Sequence, residues 1–259
     1  MEKNDRHFGK MLRDVALLAK LEEQASENFQ SIMDQINARK RKRVFARVAF
    51  SCAASVAVAI ALIFSFGNSA GTQDNLDTLD TLTPEFFIDG SAEVIKYGVL
   101  EDEELFKHLM EKGLDFEKEY VISRCIEIKR DYVVADEFDT GLRRKLNLGH
   151  TVGHAVENRS NYGISHGRAV AIGMAIIARA CQKRGICSEN CLQDIIRGLE
   201  ALHLPTECSY TTEELITPML SDKKRTGATI SLIVPNRIGD CDILPLPVEE
   251  LENFVKSGL

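Results

Sequence analysis

Between Val48 and Gln73 the chain carries no charged residue, and this stretch constrains its possible folds more than any other feature. About twenty such residues suffice to cross the hydrocarbon core of a bilayer as a helix. A buried core helix usually keeps a polar side, whereas this stretch offers only scattered serines. Five consecutive cations, Arg39 to Arg43, lie just upstream. Beside an apolar block such a run reads as topogenic charge rather than a nucleic-acid patch. The net charge of −7 argues the same way, since non-specific nucleic-acid binding needs a basic surface. The sequence therefore predicts a single transmembrane helix over 44–67, with membrane insertion there and single-pass localisation. A signal peptide does not fit, because the block starts too far from the N-terminus.

Before the apolar block, Phe8, Met11, Leu12, Val15, Leu18 and Ala19 recur at helical spacing, so 1–43 reads as a polar helical stub. A linker at 68–82 leads into a domain of 83–259. Positive charge ahead of a span sends the C-terminal side across the membrane. A domain rich in unpaired thiols does not belong there, so the chain reads as a chimera joined near residue 75. The seven cysteines form no CxxC pair, and Cys187 and Cys191 come nearest, so reduced thiols are expected rather than a disulfide scaffold or a zinc knuckle.

After the linker, helical patterns dominate. Helices are expected near 84–98, 102–112, 117–136, 146–159, 167–184, 189–202, 212–222 and 248–257, with Pro84 suited to a first turn. One hairpin is expected from ATISLIVP and DCDILPL, turning at Asn236–Gly239. The fold class is thus mainly α: a multi-helix C-terminal domain with a small β-hairpin, preceded by the helical stub and the transmembrane helix.

Three of the six histidines fall in LNLGHTVGHAVENRSNYGISHGRAV. His150 and His154 are four apart, hence about one turn apart on one helical face. His166 opens the next helical pattern, and a short loop can return it to the other two. Neutral imidazole is the commonest ligand for a zinc-like ion, and three protein ligands with an open position is the catalytic arrangement. Gly149, Gly153 and Gly167 beside the imidazoles allow close backbone approach. In AEVIKYG, Glu93 and Lys96 are three apart and, taken alone, read as a solvated intrahelical pair. Lys129, Arg143 and Asn147 lead into the histidines, and Asp222-Lys223-Lys224 precedes the hairpin. Converging on a metal, such cations would clamp a carboxylate or phosphate.

These segments, in this order, resemble 3-dehydroquinate synthases of the shikimate pathway. The matching text is DTLDTL, GSAEVIKYGVL, RCIEIKRDYVVADEFDTGLRRKLNLGHTVGHAVE, HGRAVAIGM and DKKRTGATISLIVPNRIG, over roughly 76–259. Other sugar-phosphate cyclases share the pattern. The resemblance implies a dehydroquinate synthase-like fold and a cytoplasmic, phosphate-eliminating cyclase. Such an enzyme converts 3-deoxy-arabino-heptulosonate 7-phosphate to 3-dehydroquinate, with a sugar acid phosphate as partner and a homodimer as assembly. It implies zinc or cobalt held by Glu93, His150 and His166, which amends the three-histidine reading. His154 then orients substrate and assists proton transfer. Lys96, Lys129, Arg143 and Asn147 match catalytic or substrate-binding positions, as does the Lys223-Lys224 pair.

Two departures stand out. Asp139 occupies a position where the family has Glu, and the family's HGEAV is HGRAV here, so Arg168 brings a cation toward the metal. The resemblance also implies NAD, yet residues 1–75 contain no Gly-rich phosphate loop following a strand. The expectation is a truncated or chimeric enzyme, impaired as a lone chain, whose uncovered face is sticky. The alternatives are a membrane-anchored binding protein built on the same helical domain and another sugar-phosphate cyclase.

Overall fold

The computed structural model describes residues 79, 81–138, 141–220, 225–226 and 229–259. The stub at 1–43, the expected span at 44–67 and nearly all of the linker at 68–82 lie outside this set, as do Asp139, Lys223 and Lys224. Among the described residues eight α-helices succeed one another. They are α1 (Pro84–Leu100), α2 (Glu103–Lys112), α3 (Lys118–Ala135), α4 (His150–Arg159), α5 (His166–Lys183), α6 (Glu189–Ala201), α7 (Thr212–Leu220) and α8 (Val248–Gly258). Between α7 and α8 lies an antiparallel sheet of order β1 (Arg225–Thr226), β2 (Thr229–Arg237) and β3 (Asp240–Pro247).

Among the described residues no helix is long and apolar enough to cross a membrane. The described body is corrected on that ground to a mainly α fold with a small sheet and no spanning helix, and it gives membrane insertion and single-pass localisation no support, the expected span at 44–67 lying outside the described residues. Nor does any contact among the described residues support a homodimer or a sugar acid phosphate as partners.

The core is organised around α5. From Gly167 to Cys181 every residue but Arg168 and Arg179 is buried, so this helix must be enclosed by others on all but one narrow face. The helices α1, α4, α6 and α8 enclose it. Small residues set the distances. A Cβ on Gly173 of α5 would come within 2.0 Å of the Gly149 carbonyl oxygen, so the two backbones touch with no side chain between them. That contact draws the start of α4 onto α5.

The expected helix at 146–159 divides. Leu142–Asn147 forms 3₁₀ turns, Gly149 takes the left-handed conformation at φ +77°, and α4 starts afresh at His150. A β-carbon disfavours that conformation, so the glycine makes the corner. Asn161 and Tyr162 close the other end of α4 at φ 51° and 60°, and the chain returns within six residues, 160–165, to His166.

The hairpin pairs Ile230 with Leu246 and Ile233 with Ile243, and shifts register between Pro235 and Arg237. Its Gly239 N–H donates to the Val99 carbonyl at 3.0 Å, tying the turn to the end of α1. The strand β1, which no pattern announced, pairs Arg225 with Ile230 and Thr226 with Thr229.

Candidate metal centre

Three elements deliver one side chain each. Glu93 stands on α1, His150 opens α4 and His166 opens α5. Their ligand atoms all lie within 4.8 Å of one another. Glu93 Oε1 is 3.3 Å from His150 Nε2 and 3.7 Å from His166 Nε2. That oxygen is buried and makes no hydrogen bond. A buried carboxylate oxygen without a partner is costly, so its surroundings call for a positive group.

The remaining ring nitrogens explain why. His150 Nδ1 lies 3.1 Å from the Leu148 carbonyl oxygen, which only accepts, so Nδ1 carries the proton. His166 Nδ1 lies 3.2 Å from Glu157 Oε2, and the same logic applies. Both Nε2 atoms then face Glu93 Oε1. Positive charge is called for where these three atoms converge, whether a proton held on His166 or a metal cation that would displace it. Carboxylate-backed imidazole is the usual outer arrangement of a metal-ligating histidine.

The electrostatics agree. Burial opposes an ionised Glu93, but Lys96 and the two imidazoles outweigh it and hold the carboxyl well below the usual range. Burial, reinforced by Lys96, pushes His150 down to about 4, so the ring is neutral and ligand-ready. Burial also works against a charged His166, yet Glu157 and Glu93 prevail and lift it to about 10. An anionic pocket that pulls a proton onto His166 would pull a divalent ion by the same field.

Lys96 is 3% exposed, with Nζ 2.5 Å from Glu93 Oε2. The pair is therefore intrahelical, as its spacing allows, but sealed rather than solvated. Desolvation lowers Lys129; Lys96 and Arg143 add to the effect and Glu93 opposes it, which puts all four in one field. Arg143 is held by its own loop, Nη1 donating to the Glu137 carbonyl at 3.0 Å and the backbone N–H to Asp136 Oδ2 at 3.0 Å. Asn147 Nδ2 donates to the Arg144 carbonyl at 3.1 Å.

His154 is on the exposed side of α4, its ring centroid 5.6 Å from that of His150 and 6.0 Å from that of His166. It also groups with Glu157 and His166 as a second trio of ligand atoms. A cavity of about 730 Å³ opens beside it, between α4 and α7, lined in part by Glu157, Tyr162, Glu213 and Thr217.

The Glu85 carboxyl is lowered by backbone and Thr83 hydrogen bonds, with Arg168 adding a small favourable charge. Glu157 and the Leu148 carbonyl escaped the sequence reading. The run from His150 through His154 to Glu157 already carried the helical-face signal for Glu157. The described residues do not fit NAD, since the sheet is wholly antiparallel and no Gly-rich loop links a strand to a helix.

A family model described as the C-terminal domain of 3-dehydroquinate synthase matches residues 90–225. The 3-dehydroquinate synthase of Streptococcus suis is 38% identical over 202 residues, covering 75% of this chain and 57% of that protein. That of Enterococcus faecalis is 38% identical over 200 residues, covering 75% and 56%. The chain thus spans a little over half the length of these relatives, and the family's N-terminal NAD domain is absent from the matches.

Among solved structures, a 2-deoxy-scyllo-inosose synthase complexed with carbaglucose-6-phosphate, NAD+ and Co2+ superposes with a TM-score of 0.60 at 18% identity, over 69% of this chain and 54% of that one. A 2-epi-5-epi-valiolone synthase from Streptomyces hygroscopicus with NAD+ and Zn2+ bound gives 0.59 at 24%, over 69% and 52%. At these identities the likeness concerns the fold. The family match extends over more than half the sequence and includes all three converging ligands, and by it the chain belongs to the 3-dehydroquinate synthase family, as a carrier of its C-terminal domain.

Proposed function

We propose that residues 83–259 are the metal- and substrate-holding half of a sugar-phosphate cyclase of the 3-dehydroquinate synthase type. The observation that carries this reading is the convergence of the buried Glu93 Oε1 with the Nε2 atoms of His150 and His166, all within 4.8 Å of one another. Glu93, His150 and His166 would hold zinc or cobalt, both of which accept an oxygen and two nitrogens. When bound, such an ion supplies Lewis acidity toward an alcohol or ketone oxygen.

The chain's own side chains supply the rest. Lys96 neutralises the second oxygen of Glu93 and keeps it ionised. The shared field of Lys129, Lys96 and Arg143 supports recognition of a carboxylate or phosphate. His154, next to the two ligating rings but exposed, suits proton transfer to and from a bound hydroxyl. Asn147 and the Lys223-Lys224 pair would join the substrate side, as the resemblance implies, with Asp139 standing where the family has Glu. The whole reaction would convert 3-deoxy-arabino-heptulosonate 7-phosphate to 3-dehydroquinate with phosphate release. No hydride step is assigned to the described residues, which offer no NAD site.

Titration of the purified chain with Co(II), followed by visible absorption, tests the metal site. Wild type should bind, and Glu93→Ala and His150→Ala should each lose about 100-fold or more in affinity. Wild-type metal content in both variants refutes the assignment. Phosphate release from the heptulosonate phosphate, measured with metal, NAD and a relative's NAD domain added, tests the reaction.

A further inference from the structure

The helix α5 begins with a ligand. His166 is its first residue, where the opening backbone N–H groups lack intrahelical partners and the turn is prone to fray. The local N-cap, Ser165, makes no side-chain bond of its own to the helix. The acceptor comes instead from α1. Asp89 Oδ1 takes a short hydrogen bond from the Ser165 hydroxyl and a second from the Arg168 N–H at 3.0 Å. These partners are 76 and 79 residues away in sequence. A carboxylate at that end of a helix is also favoured by the helix dipole.

The contact is tight as well as polar. A Cβ on Gly167 would fall 1.9 Å from the Asp89 carbonyl oxygen and 2.9 Å from Oδ1, so glycine lets the backbones of α1 and α5 meet. Glu93 lies four residues beyond Asp89, one turn further along the same face of α1. One helix thus bears both a ligand and the group that grips the neighbouring helix at the other ligand. Glu157 orients the ring of His166, while Ser165 and Arg168 on either side of it are held at this junction.

We propose that Asp89 is a positioning residue for the metal centre: by clasping the first turn of α5 it fixes the separation of Glu93 and His166. This rests on the metal-site reading above and deepens it. Because the Arg168 bond comes from its backbone, the clasp is indifferent to the side chain there.

The test is a mutant cycle on Co(II) affinity, measured by titration of the full chain well below its unfolding temperature. Asp89→Ala should bind about 10–100-fold more weakly, with a changed visible band, and Asp89→Asn, which keeps an acceptor oxygen, should recover most of the loss. In a His166→Ala background, Asp89→Ala should cost nothing further, because Asp89 acts through His166. Wild-type affinity in Asp89→Ala, or an equal loss in the His166→Ala background, overturns the proposal.

Should Asp89→Ala fail to fold, Ser165→Ala carries the test. A loss of about 3–10-fold supports the clasp and wild-type affinity overturns it. If wild type binds no cobalt, or His150→Ala binds it unchanged, the metal-site reading itself has failed. If those two behave as expected while Asp89→Ala is silent, only the clasp has.

Discussion

Glu157 is buried on α4, and its one hydrogen-bonded ring partner is His166. Through that contact it keeps a proton on Nδ1 of His166 and leaves Nε2 turned to Glu93. Outer-shell carboxylates of this kind commonly contribute 10–100-fold to metal affinity. Glu157→Ala should therefore weaken Co(II) binding by about that factor, and Glu157→Gln, which still presents an oxygen, by less. Calorimetric titration of the two variants checks the order. Spacing along the chain was enough to bring His150, His154 and His166 together as a cluster, because two lie on one helix and the third opens the next. It could not supply Glu93, whose relation to the histidines exists only through the packing of α1 on α5. Asp89 left no local trace for the same reason. The Glu93–Lys96 pair shows the opposite failure: the spacing was visible, but burial, which decides between a surface pair and a sealed one, was not.

Among the elements, the caps and corners control where side chains arrive. Asp102, the N-cap of α2, accepts from the Leu105 N–H at 2.9 Å and makes a short ion pair with Arg124 of α3, joining the two helices. Burial opposes its charge, but the Leu105 N–H and Arg124 outweigh it, so its folded pKa lies below the ordinary 3.8. A depressed carboxyl stabilises the fold above its unfolded pKa, and the contribution is lost as pH falls through the folded value. Asp102→Ala should thus lower stability by about 1–2 kcal/mol at neutral pH. The gap from wild type should close on acidification below the carboxyl range, as read by urea denaturation across pH. Helices were legible here because their apolar positions recur at helical spacing and are bounded by residues such as Pro84, Asp102 and Ser188. The break at Gly149 was not, since the pattern runs on through Leu146 and Leu148 while the corner depends on the close contact with Gly173.

At the scale of the whole molecule, one apolar core joins all the described helices to the sheet. Phe254 of α8 is fully buried within it, with the Arg184 guanidinium 4.9 Å from its ring. Phe254→Ala should cost about 3–5 kcal/mol, seen as a lower urea midpoint, and removing Arg184 should cost far less. Cys125, Cys181, Cys187, Cys191, Cys208 and Cys241 are all free thiols, and burial pushes Cys125 and Cys181 up to about 12. The apolar run at 44–67 dominated the sequence reading of the whole, but hydropathy speaks only for its own segment. It carries no information on the helical body downstream.

The helix that threads the middle of this core starts with His166. An ion gripped at that end would be fastened to the axle of the molecule rather than to a loop at its rim. Native-only binding lends its free energy to the folded state, so here loading and cohesion would rise and fall together. Stripping the ion with a chelator would loosen the middle of the protein as well as silence its chemistry.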